Sequence, residues 1–151
     1  MLMTGIAENT LLRVEYEWKR DPIERKNMAN NLKIGFIGAG QMATALAGGI
    51  ASQRESSDQY NVFDPSSSAV ERFTVAIAAH SKGSVSSKTT AQAVVDDSAV
   101  VLLAVKPQYL ESALAGVNFD SQPLVISIVG GADSYRLGRL VGNDRIVRAM
   151  P

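Results

Sequence analysis

The sequence predicts an α/β fold: a doubly wound, mainly parallel sheet with helices on both faces, three layers in all (α/β/α). Three observations predict it. From Leu32 onward, short apolar runs alternate with stretches of helical period. One run, Ala99–Val105 (AVVLLAV), holds seven apolar residues without a break, the pattern of a strand buried on both faces. The first run ends in a glycine-rich turn that opens directly into a helix. Parallel strands joined by right-handed helical crossovers wind onto both faces, so the expectation is a Rossmann-type sheet.

The elements follow in order. Lys33–Gly38 (KIGFIG) is a short β-rich run, and Gln41–Ser52 has the Ala/Leu content of a helix. Its apolar stripe is Ala43, Leu46, Ala47 and Ile50. Tyr60–Asp64 (YNVFD) reads as a second strand, and Pro65 with a serine-rich turn leads to a helix over Ala69–Ala79. Ser84–Ser86 is a weak third strand and Thr89–Val95 a short helix. After the buried run, a helix spans Pro107–Ala115, with proline in the first turn where a missing N–H costs nothing. Leu124–Val129 is a fifth strand, Ala132–Val141 a helix and Arg145–Met150 a sixth strand.

Residues 1–31 read differently. Leu12, Val14, Tyr16 and Trp18 alternate with charged residues as in a strand, while Leu11, Val14 and Trp18 equally suit one helical face. Pro22 interrupts either element. The segment is expected to be an N-terminal appendage, with residues 32–151 as the compact domain and Met28 as a candidate natural start.

Composition narrows the function classes. At 151 residues, 46% apolar and 20% charged, the chain is ordinary globular material of about one domain. Fifteen basic and fifteen acidic residues leave no electrostatic footprint for nucleic acid or an anionic membrane. No cysteine and a single histidine exclude thiolate catalysis and the usual zinc cages. No run approaches the roughly 18 apolar residues of a membrane span, and the signal-peptide layout is missing. A soluble, cytoplasmic protein with no membrane or nucleic-acid partner is the expectation.

Gly38-Ala39-Gly40-Gln41-Met42-Ala43 is G-x-G-x-x-A, set between a strand and a helix. Each position suits a dinucleotide: Gly38 permits the tight turn, Gly40 lets a diphosphate approach the backbone, and Ala43 lets helix and strand pack closely. The helix N-terminus adds free N–H groups and partial positive charge. The motif alone is weak, since such turns also serve packing; the strand–turn–helix context carries it.

A carboxylate is expected about 20 residues further on, and Asp64 stands 21 residues past Ala43. It could bind the ribose hydroxyls of NAD, or turn away and serve the loop as an Asx-type acceptor. Ser66 and Ser67 are candidate ligands for a 2′-phosphate, and Ser68, three residues before Glu71, reads as the helix cap. NADP and NAD both stay open at this point.

Two later loops fall at strand ends. In Ala104-Val105-Lys106-Pro107-Gln108, Lys106 either steers phosphates or is a solvated lysine. In Val129-Gly130-Gly131-Ala132, the glycines either admit a nicotinamide or make a plain turn. His80 reads as a solvated histidine at a helix end, Asp96 and Asp97 as a polar turn before the buried strand without metal-ligand partners, and Ser127 lacks a nucleophile elbow. No catalytic residue and no metal ligand is assigned.

Several segments together resemble one family. They are IGFIGAGQMATALAGGI (Ile34–Ile50), DPS (Asp64–Ser66), LLAVKPQ (Leu102–Gln108), VISIVGG (Val125–Gly131) and RIVRAMP (Arg145–Pro151). The likeness is to the N-terminal half of pyrroline-5-carboxylate reductase, within the 6-phosphogluconate-dehydrogenase-like Rossmann proteins. It spans residues 33 to 151, and the AVKP and R-x-M-P segments are its most specific parts.

The resemblance implies hydride transfer from NADPH, or NADH, to the C=N bond of 1-pyrroline-5-carboxylate, giving L-proline. It implies that Gly38, Gly40, Gln41 and Met42 cover the diphosphate and that Ser66 lies near the adenosine ribose. Ala104, Val105, Lys106 and Pro107 would line the cofactor side of the cleft, with Gly130 approaching the nicotinamide. Ala91 stands where the family often carries Asn, which argues for weaker cofactor contact. After R-x-M-P the family continues with Asn-Thr-Pro and a helical domain that dimerises and holds the substrate. A homo-oligomeric full-length form is therefore expected, and this stretch alone should bind cofactor better than it catalyses. Two alternatives remain: a non-catalytic dinucleotide-binding module, and a related dehydrogenase acting on another imine or a hydroxy acid.

Overall fold

The computed structural model describes residues 31–54, 57–80 and 82–150. The readings made for residues 1–30, including the Leu11–Trp18 pattern and Met28, lie outside the described residues, as does Pro151.

Six strands are found among the described residues, and every neighbouring pair is parallel. They are β1 (Lys33–Ile37), β2 (Gln59–Phe63), β3 (Ser84–Ser87), β4 (Val100–Leu103), β5 (Leu124–Ser127) and β6 (Ile146–Arg148). The order across the sheet is β3-β2-β1-β4-β5-β6, the strand order of a doubly wound dinucleotide fold. β1 is central because Ile34, Phe36 and Ile37 bury both of its faces.

The crossover helices are α1 (Gln41–Gln53), α2 (Ser67–Ala78), α3 (Ala91–Asp96), α4 (Leu110–Leu114) and α5 (Ser134–Val141). They divide the core in two. On one face, Ala43, Ala47 and Ala51 of α1 and Ala69, Phe73 and Ile77 of α2 pack on Ile34, Phe36, Tyr60, Val62 and Leu102. On the other, Val94, Leu110, Leu114 and Leu137 pack on Ile37, Val101, Leu103 and Val125. The period-2 alternation of strand side chains thus feeds both layers. Phe36 meets Phe73 edge to face, with ring centroids 5.0 Å apart.

The stripe on α1 is narrower than the sequence suggested. Alanines at i, i+4 and i+8 take the buried positions, while Leu46 and Ile50 are only partly buried at the flanks. Small side chains here let the helix lie close to the sheet. Gly35 does the same opposite α3, since a Cβ there would come within 2.6 Å of Val94 and 2.5 Å of the Ser98 hydroxyl.

Several boundaries shift: among them, the fifth strand ends at Ser127 and the last helix starts at Ser134. The buried run pairs only over Val100–Leu103, and the last strand only over Ile146–Arg148. The stretch after Lys106 begins as a 3₁₀ turn, Pro107–Tyr109, before α4. No helix among the described residues is long and apolar enough to cross a membrane.

Candidate functional site

Ligands in open parallel sheets bind outside the carboxyl ends of the strands, where the strand order reverses. Here that point lies between β1 and β4. A cleft of about 510 Å³ opens there, lined by residues that directly follow β1, β2 and β4.

The glycine turn builds one wall. Gly38 has φ +100°, and a Cβ would lie 2.7 Å from the Ala104 carbonyl oxygen, so backbone strain and contact both require glycine. Its amide donates to the Phe63 carbonyl at 2.9 Å, tying the turn to the end of β2. Gly40 has ordinary extended backbone, and what matters there is space: nothing lies within 4 Å of where a Cβ would stand. The turn therefore presents an open backbone to the cleft.

Gly40 is also the N-cap of α1, and no side chain caps that end. The first helical bond is Thr44 N–H to the Gly40 carbonyl at 2.9 Å. The amides of Gln41, Met42 and Ala43 therefore have no acceptor within the helix. Together with the helix dipole, three such amides suit a diphosphate.

The second wall follows β2. Asp64 lies beside Gly38 and Gly40 on the cleft. Its Oδ2 accepts from the Ala39 amide at 2.8 Å and its Oδ1 from the Ser66 amide at 2.8 Å. Of the two expectations for Asp64, this geometry is that of the loop acceptor.

The cap of α2 corrects the sequence reading. Ser66, not Ser68, is the N-cap, its Oγ accepting from the Ala69 amide at 3.4 Å. Pro65 and the Asx turn at Asp64 hold Ser66 extended, so the helix starts two residues earlier than the Ser68–Glu71 pattern suggested. Ser68 then lies in the first turn, its hydroxyl 3.1 Å from that of Ser66.

The third wall is Ala104, Val105 and Lys106 after β4, with Tyr109, Ser112 and Ala113 from the turn and helix beyond. Lys106 is exposed, and no acceptor for its ammonium is found among the described residues. Of the residues expected to bind a cofactor, the cleft brings together Gly38, Gly40, Asp64, Ala104, Val105 and Lys106. Gln41 and Met42 stand at the exposed start of α1, Ser66 and Ser67 at the start of α2, and Pro107 at the 3₁₀ turn. Gly130 follows β5, with open space at its Cβ position. These six do not line the cleft itself.

Sequence reasoning missed Tyr109, Ser112 and Ala113. Their i, i+3, i+4 spacing puts them on one side of a helical turn just past the Lys-Pro pair, and that was the available signal. Among the described residues, no three His, Asp or Glu side chains gather as a metal site.

Residues 33–131 match the profile of the family described as NADP oxidoreductase, coenzyme F420-dependent. A pyrroline-5-carboxylate reductase from Escherichia coli (strain K12) is 36% identical over 123 residues, covering 79% of this chain and 44% of that protein. The same enzyme from Pasteurella multocida is 39% identical over 123 residues, with 78% and 43% covered. A solved pyrroline-5-carboxylate reductase from Coxiella burnetii superposes with a TM-score of 0.68 at 27% identity, over 81% of this chain and 44% of that one. The chain spans less than half the length of the curated relatives it matches.

Proposed function

The chain belongs to the family described as NADP oxidoreductase, coenzyme F420-dependent, and from that premise we propose that it is the cofactor-binding part of an NADPH-dependent pyrroline-5-carboxylate reductase. The observation that carries the proposal is the uncapped start of α1, opening at Gly40 onto the cleft where the strand order reverses. Similarity to reductases of that name, at 36% and 39% identity, supports the choice of substrate.

In this reading the Gln41, Met42 and Ala43 amides hold the diphosphate, and Gly38 and Gly40 let it approach. Lys106 supplies a mobile cation beside it, and Ala104, Val105 and Pro107 bound the same side. Ser66 and Ser67, at the start of α2, face the adenosine ribose and its 2′-phosphate, which favours NADPH while leaving NADH usable. Gly130 borders the nicotinamide. When bound, the dinucleotide supplies a hydride for the imine carbon of 1-pyrroline-5-carboxylate. The chain's own residues contribute placement: they fix the donor in advance, so that its freedom is already lost before reaction. Residues 32–151 form the dinucleotide domain and residues 1–31 an appendage. The whole enzyme works in the cytoplasm as a homo-oligomer in proline biosynthesis, its substrate site and dimer surface in a helical part matching the remaining length of the relatives.

The experiment is a titration with NADPH and NADH, followed by complementation of a proline-requiring strain that lacks its reductase, using the natural gene. Micromolar NADPH binding and restored growth are expected. No binding at millimolar nucleotide would remove the proposal. Binding without restored growth would leave a dinucleotide-binding module, or a dehydrogenase for another imine or hydroxy acid.

A further inference from the structure

A carboxylate at the end of the second strand is placed to read a ribose diol. One that does so selects against a 2′-phosphate, which replaces the hydroxyl it binds and brings like charge. The two bonds at Asp64 put its carboxylate to other work. Oδ2 holds the Ala39 amide in the middle of the glycine turn, and Oδ1 holds the Ser66 amide at the cap of α2, each at 2.8 Å. Ala39 is only 1% exposed, so its amide has no water to fall back on. A single charged acceptor thus ties together two loops that flank the cleft, beside the Gly38–Phe63 backbone bond.

We infer that Asp64 is a positioning residue. It sets the spacing between the glycine turn and the start of α2, and through it the affinity for NADPH and NADH alike, without choosing between them. The inference rests on the reading of the cleft as a dinucleotide site.

Asp64→Ala and Asp64→Asn in the full chain test it, Asn keeping the volume and one acceptor so that the fold is preserved. Two quantities are measured: dissociation constants for NADPH and NADH, and amide hydrogen exchange at Ala39 and Ser66 without nucleotide. In Asp64→Ala both affinities are expected to fall about tenfold together, their ratio moving less than about twofold. Exchange at both amides should accelerate, with Asp64→Asn intermediate in each measurement. A shift of about tenfold in the ratio toward NADPH, with exchange at Ala39 unchanged, would overturn the inference in favour of direct ribose contact. Faster exchange with both affinities intact would overturn it too, because the tie would then not reach the nucleotide. If the wild-type chain binds neither nucleotide, the site reading itself fails, and that result is separate from any behaviour of the variants.

Discussion

At the carboxyl end of the sheet, α1 begins with the Gln41, Met42 and Ala43 amides unspent, and the Lys106 ammonium is exposed. At the amino end, two carboxylates, Asp58 and Asp97, are each held by several donors. The fully buried Asp58 accepts from the Leu32 amide and from both Nε and Nη2 of Arg54. Asp97 accepts from Lys33, Lys88 and Gln59. Helix starts differ too: α2, α3 and α5 are capped by Ser66, Thr90 and Asp133, while α1, and α4 with the 3₁₀ turn that leads into it, are capped by no side chain. A cap is worth about 1 kcal/mol, so an uncapped α1 forgoes stability where a ligand's charge could replace it. On the proposed reading, the uncapped start of α1 lies at the end of the strands opposite the Asp58 and Asp97 ion pairs.

Breaking the amino end should give the largest effect. Asp58→Ala leaves the partly buried Arg54 without its fork partner and is expected to cost about 3–5 kcal/mol in urea unfolding. NADPH affinity of the folded fraction should stay the same. Lost affinity without lost stability would mean that the two ends are not separate.

Next comes Gly40→Asp, which gives α1 the cap it lacks and puts a carboxylate where the diphosphate is proposed to sit. NADPH affinity should fall about 100-fold or more, while the melting temperature holds or rises slightly. Retained affinity would remove the contrast between the helix starts.

A capped helix serves as the control. Thr90→Ala removes the acceptor for the Ala93 amide and should cost about 1 kcal/mol, with the NADPH dissociation constant unchanged.

The smallest effect is acid sensitivity. Hydrogen bonds from Lys33 and then Lys88 hold the Asp97 carboxyl at about 2, below its ordinary 3.8. A depressed folded value means that its contribution is complete above the unfolded value and is lost as pH falls through 3.8 toward 2. Unfolding midpoints measured from about pH 5 down to pH 2 should drop less steeply in Asp97→Asn than in the wild type.

What was legible in the sequence was local. KIGFIGAG, its helix and the unbroken AVVLLAV run each carry their own pattern within a dozen residues, and alternation with right-handed crossovers then fixed the layers. What was not legible depends on residues far apart in the chain. Asp64 was open between two roles because its partner Ala39 lies 25 positions away. Asp97 read as a turn residue, since its cations come from 64 positions before it and 9 before it. The α2 cap was misread because Ser66 and Ser68 are chemically alike, and only backbone angles set by Pro65 separate them.

The row Ala43, Ala47, Ala51 has a consequence well beyond packing. It is the bearing on which α1 rests, and its far end lies about three turns from the start that faces the cleft. Bulk added at Ala51 has nowhere to go except to lift that end, and a rigid rod lifted at one end re-aims the other. The aim of the proposed nucleotide cradle at Gly40 is thereby set in part by a methyl group well removed from it, at a position where the sheet leaves no room for anything larger.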